Sequence, residues 1–228
     1  MNGRFLKEAE MRKRNRVKSS QIALFILLVF AGCVEAVTIR RDRDESDYFD
    51  LADQYQYECV CQLNCGGSGI LIAPTYVLTA AHILQGVDAV SIVVSFKDSP
   101  IRSTAASYEV NPDFLTVVLG SDIAVIRLQE PILDVTPAEL YSGTDEVGKL
   151  AIIVGYGIGG DGISGAVGGT NEKRAGHNVI DAIDATKLYR CLVADFDNPD
   201  NPLDSSLGSS IPRNLVLQRH FSSRFLGC

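Results

Sequence analysis

Apolar residues come along this chain in short runs separated by turn residues. The densest stretch is 66–84, GGSGILIAPTYVLTAAHIL. Its two runs, 70–73 and 76–79, are rich in β-branched and aromatic side chains and meet at Pro74. That pattern predicts two short strands with a turn between them. Further strands are expected at 89–96, 105–110 and 122–128. Residues 129–148, with Pro131 and Pro137, read as a connection, and 149–156 as the next strand. Apolar and polar positions alternate at 176–183 and 188–196, which predicts a further pair of strands.

The first 36 residues follow another pattern. Arg12, Lys13, Arg14, Arg16 and Lys18 precede an apolar run of eleven residues at 22–32, too short to span a bilayer. Val34-Glu35-Ala36 then offers modest and small side chains at a cleavage site. This succession predicts a signal peptide over 1–36, cut after Ala36, with Met11 as a compact alternative start. A lipid anchor on Cys33 fits less well, because Phe30 stands before Ala31-Gly32-Cys33 where Leu is preferred. Export is the expected fate, with no stable membrane span left after the cut. Residues 37–60 are polar and charged and are expected to form a solvated extension or pro-segment.

Composition changes this picture only at the level of partners. Of 228 residues, 46% are hydrophobic and 21% charged, which suits a globular chain with a sizeable core. The formal charge is −7. Cutting at Ala36 removes seven of the 21 basic and three of the 28 acidic residues, leaving 14 against 25, a charge of −11. Such an acidic body argues against nucleic acid and anionic membrane surfaces as partners. It does not argue against peptides.

The candidate chemistry sits at strand ends. Thr79-Ala80-Ala81-His82 closes the second apolar run, and the two alanines let the backbone pack closely beside one imidazole. Ser121-Asp122 opens the run 122–128, forty residues later. Either residue alone would read as structural or solvated.

Their surroundings change that reading. Cys65-Gly66-Gly67-Ser68 followed by Val77-Leu78-Thr79-Ala80-Ala81-His82 resembles the catalytic-histidine segment of the trypsin-like serine peptidases. Ser121-Asp122-Ile123-Ala124-Val125-Ile126-Arg127-Leu128 is similar to the aspartate segment of the same family, and Gly155-Tyr156-Gly157 to its Gly-Trp-Gly. The order His then Asp is the chymotrypsin order. The resemblance covers about 66–157 well and continues weakly to Pro212. It implies an all-β fold of two antiparallel six-stranded-type β-barrels. It also implies that His82 is the general base and Asp122 the carboxylate that orients it, acting on a peptide or protein substrate. The first barrel is expected over about 61–128 and the second, incomplete, over about 149–228, within a peptidase domain of 61–228.

The third triad member should follow Asp122 by roughly ninety residues. No Gly-Asp-Ser-Gly-Gly-Pro occurs in the chain, and Ser209, Ser210, Ser222 and Ser223 lack glycines on both sides. The nucleophile, the oxyanion hole built on its backbone and the last strands of the second barrel are therefore expected to be missing together. Two functions follow: a secreted serine endopeptidase gene whose product here is truncated and inactive, or a peptidase-like module kept for binding. The family's zymogen pair, a freed Ile or Val amine and the aspartate before the serine, is not recognisable either.

The remaining motifs add no cofactor. Cys59, Cys61, Cys65, Cys191 and Cys228 stay after the cut, and in an exported chain some should pair. Cys65 matches a family cysteine whose usual partner position is Ile83 here, so that bridge is expected to be absent. Cys59-x-Cys61-x3-Cys65 lacks a fourth ligand for zinc. Gly157 to Gly162 fits G-x-G-x-x-G, but a loop composition follows where a dinucleotide site needs a helix. Asp195, Asp197, Asp200 and Asp204 lack EF-hand spacing and read as turn chemistry. His177 and His220 are expected to be ordinary strand or surface residues.

Overall fold

The computed structural model describes residues 36–40, 42–97, 99, 102–115, 121–161, 165–168, 172–184, 191–194, 215–216, 221–222 and 226–227. In chain order the elements are β1 (Ala36–Ile39), α1 (Glu45–Ala52), β2 (Val60–Leu63), β3 (Ser68–Ala73), β4 (Tyr76–Thr79), β5 (Val93–Ser95), β6 (Arg102–Val110), β7 (Ala124–Leu128), β8 (Glu139–Leu140) and β9 (Leu150–Tyr156). Then come β10 (Ile158–Asp161), β11 (Gly165–Gly168), β12 (Lys173–Val179), β13 (Ala182–Asp184), β14 (Cys191–Val193), β15 (Leu215–Val216), β16 (Phe221–Ser222) and β17 (Leu226–Gly227).

Strands β2, β3, β4, β7, β6 and β5 close into one antiparallel barrel, with β5 returning to β2. Alternation decides which side chains face inward. Leu71 and Val77, paired across the β3–β4 hairpin, are fully buried, as are Val94, Ala105 and Ile126. The strands are packed closely because one of them carries glycine where a side chain would collide. A Cβ on Gly69 would stand 2.5 Å from Val77 Cγ1 and 3.1 Å from the Cys61 sulfur. Gly66 and Gly67 turn the chain between β2 and β3 at φ +107 and +70, a region L side chains rarely adopt.

Among the described residues, the strands outside this barrel do not close into a second one. β9 pairs with β12 over seven residues, β13 with β14 and β14 with β16, and β11-β10-β1-β15 form a small sheet. The fold is therefore all-β, of the chymotrypsin type, with one complete six-stranded barrel and an incomplete second one.

Several local expectations need correction. Residues 37–60 are not a solvated tail. β1 pairs in parallel with β10, and α1 buries Tyr48, Leu51 and Ala52. The charged face of 42–47 hid an amphipathic turn pair whose apolar face has a partner far along the sequence. The strand expected at 89–96 begins with a 3-10 turn, Ala89–Ser91, and only Val93–Ser95 pairs. Within 163–171, which reads as loop composition, Gly165–Gly168 is the strand β11, paired antiparallel with β10. Residues 176–183 are two strands, not one: β12 pairs back to β9, and β13 alone meets β14. Ser209, Ser210, Ser223, His220 and the acidic run 195–204 lie outside the described residues, as does nearly all of the expected signal peptide.

Candidate active site

Register explains why residues forty apart in sequence meet. β4 and β7 are antiparallel with Tyr76 opposite Arg127 and Thr79 opposite Ala124. Continued three residues past Thr79, that register brings His82 level with Ser121 and one residue from Asp122. The chain leaves β4 through Ala80 into a 3-10 turn, Ala81–Leu84, with Ala81 and Leu84 buried. This turn holds the imidazole at the barrel rim, against the start of β7.

The two side chains touch. His82 Nδ1 lies 2.7 Å from Asp122 Oδ2, and the His82 backbone N–H donates to Asp122 Oδ1 at 2.9 Å. Both side chains are largely buried, at 19% and 12% exposed. An ionised carboxylate can only accept, so it fixes the tautomer with the proton on Nδ1. Nε2 then keeps its lone pair and can take a proton from a hydroxyl placed before it. The second bond, from the backbone, stops the carboxylate from rotating away.

A second layer ties this rim to the rest of the chain. Thr79 Oγ1 donates to the Ser68 carbonyl at 2.8 Å. Ser68 Oγ accepts from the Tyr156 N–H at 2.6 Å and donates to the Tyr156 carbonyl at 3.0 Å. One hydroxyl thus satisfies both backbone groups of a residue in β9, joining the barrel to the second half. Ser68 is part of the Cys65–Ser68 motif, yet its partner is 88 residues away and invisible to local patterns. Gly155 belongs to the same joint, since a Cβ there would stand 2.9 Å from Ser68 Oγ.

The cysteines divide by environment. Cys59 is disulfide-bonded, whereas Cys61 and Cys65 are free. Cys59 being engaged, the three do not form a metal ligand set. Among the described residues no three His, Cys, Asp or Glu side chains converge as a metal site. Complete burial pushes the Cys61 thiol from 9.0 up to about 12, and partial burial raises that of Cys65. The unfolded thiol therefore ionises first as pH rises, so the folded state loses stability between about pH 9 and about pH 12. The slope for Cys61 approaches about 1.4 kcal/mol per pH unit. At pH 8 we expect Ellman's reagent to label Cys65 slowly and Cys61 not at all, until urea exposes both. Rapid native labelling of two thiols would contradict this burial.

Comparison with known proteins bears on the family and the fold. A family model described as a trypsin-like peptidase domain matches residues 67–193, more than half of the chain. Brachyurin from Leptuca pugilator is 33% identical over 106 residues, 42% of this chain. The chain spans 46% of that relative's length. Among solved structures, neuropsin, a serine protease expressed in the limbic system of mouse brain, superposes with a TM-score of 0.52 at 20% identity, covering 70% of this chain and 77% of its own. At that identity the likeness concerns the fold. A scabies mite inactivated protease paralogue, S-D1, gives a TM-score of 0.48 at 13% identity, covering 56% and 59%. With the closed barrel, its rim and the match over 67–193 taken together, the chain belongs to the trypsin-like peptidase family.

Proposed function

We propose that this chain carries the base half of a serine endopeptidase triad, with His82 as the general base and Asp122 as its orienting carboxylate. The observation that supports this most is the 2.7 Å approach of Nδ1 to Oδ2, which orients the ring as a general base requires. In the reaction Nε2 removes the proton of a serine as its oxygen attacks a peptide carbonyl, and later returns that proton to the leaving amine. Asp122 stabilises the imidazolium between those steps. The substrate class is a peptide or protein.

The 228 residues hold no Gly-Asp-Ser-Gly-Gly-Pro. We therefore read this polypeptide as lacking both nucleophile and oxyanion hole, and as inactive on its own. A binding module is the second reading, favoured by the same absence together with an intact barrel. The genomic DNA beyond the Cys228 codon separates them. A Gly-Asp-Ser-Gly-Gly-Pro encoded there, in either frame, supports the peptidase reading, and unrelated sequence there supports the binding module.

Export belongs to the same proposal. Residues 1–36 act as the signal peptide, and the described residues include no helix long and apolar enough to cross a membrane. N-terminal sequencing of the exported protein is expected to begin at Val37. A product that retains residues 1–36 would refute the cleavage.

A further inference from the structure

Residues 45–57, which include α1, are held by two buried cations of the second half. Arg174, on β12, is 2% exposed at its side chain. Its Nε and Nη2 both donate to Glu45 Oε1 at the start of α1, at 3.1 and 2.5 Å. One turn further along the helix, the Phe49 ring lies 4.9 Å from the guanidinium. Lys173, equally buried, donates to the Tyr57 carbonyl at 3.2 Å. Between these ties, Leu51, Ala52 and Tyr57 bury against Ala175, with Ile152 and Val154 of β9 packed on them.

The same segment grips the barrel at its other end. Asp53 accepts from Lys97 Nζ at 2.5 and 2.7 Å, just past β5. The chain then enters β2, where Leu71 N–H donates to the Cys59 carbonyl. Residues 45–57 therefore touch β9 and β12 on one side and the closed barrel on the other.

We propose that residues 45–57 are a clasp that fastens the incomplete second half to the barrel, and that they remain in the mature protein instead of leaving as a pro-segment. A guanidinium buried this deeply needs its carboxylate, because an unpaired buried charge is strongly unfavourable. Among the described residues the β9–β12 sheet has two strands. A two-stranded sheet is marginal by itself and needs a packed face. α1 supplies that face. The clasp holds whichever reading of the His82–Asp122 pair is right.

Hydrogen–deuterium exchange on the full chain tests it. Glu45→Lys sets a like charge against Arg174, and Asp50→Lys makes the same change on the exposed side of the same helix. Glu45→Lys is expected to speed exchange in 150–156 and 173–179 by about tenfold or more, since local opening controls exchange. Strands β3, β4 and β7 should keep their protection, and Asp50→Lys should change neither region. The clasp is overturned if Glu45→Lys leaves 173–179 protected, if it loosens β3, β4 and β7 equally, or if Asp50→Lys has the same effect. It is equally overturned by an exported mature form whose first residue lies beyond Tyr57.

Discussion

The purified 37–228 chain is expected to take up no fluorophosphonate at any serine. Such probes report an activated hydroxyl, and activation requires a base in contact with it. His82 and Asp122 are in contact, but no Gly-Asp-Ser-Gly-Gly-Pro occurs in the chain. Without the nucleophile, what remains in comparable enzymes is an acceleration on the order of 10³–10⁴ over water, from the oxyanion hole and substrate binding. The hole is built on the backbone around the serine, so its loss removes a further share, roughly 2.7–4 kcal/mol. Both effects act on the same chain, and protein substrates such as casein should be left intact. Stoichiometric labelling at one serine, abolished by His82→Ala, would show a nucleophile outside the expected motif.

Asp122→Ala is expected to loosen the rim of the closed barrel. The carboxylate is 12% exposed and accepts from both the backbone and the ring of His82. A bond to a charged acceptor contributes about 1.5–3 kcal/mol, and a buried donor left without a partner costs about 1–3 kcal/mol. A fall in urea-unfolding stability of that size should follow. Asp122→Asn is the informative companion. Its carbonyl can still accept from the His82 backbone, but its amide can turn a donor towards Nδ1. The imidazole then moves its proton to Nε2, which nitrogen-15 NMR of the ring detects. If the Ala variant keeps full stability and the Asn variant keeps the proton on Nδ1, the carboxylate does not hold the ring.

Much of the barrel was legible in local pattern. The β3–β4 hairpin follows from β-branched runs meeting at Pro74, and β7 from the apolar run after Asp122. The second half was harder to read. Residues 176–183 look like one strand, because period-two alternation continues through Val179 to Ile183. Strand pairing breaks it, since β12 must turn back to β9 while β13 reaches β14. The N-terminal segment was misread for the opposite reason. Its charges look solvated, yet one of them, Glu45, pairs with an arginine 129 residues away.

What the sequence determined by itself was the kind of element and the kind of chemistry. Residue type and spacing are enough to make strands of 70–73 and 76–79, and to make His82 and Asp122 candidates for one site. Tertiary structure decided which distant groups share a contact. The antiparallel register of β4 and β7 turns forty residues into 2.7 Å, and Ser68 finds the Tyr156 backbone across the joint. It also decided where charge could be buried. Arg174 and Lys173 occupy strand positions that local rules assign to solvent. The docking of residues 45–57 supplies Glu45, the Phe49 ring and the Tyr57 carbonyl, which help make burial there favourable.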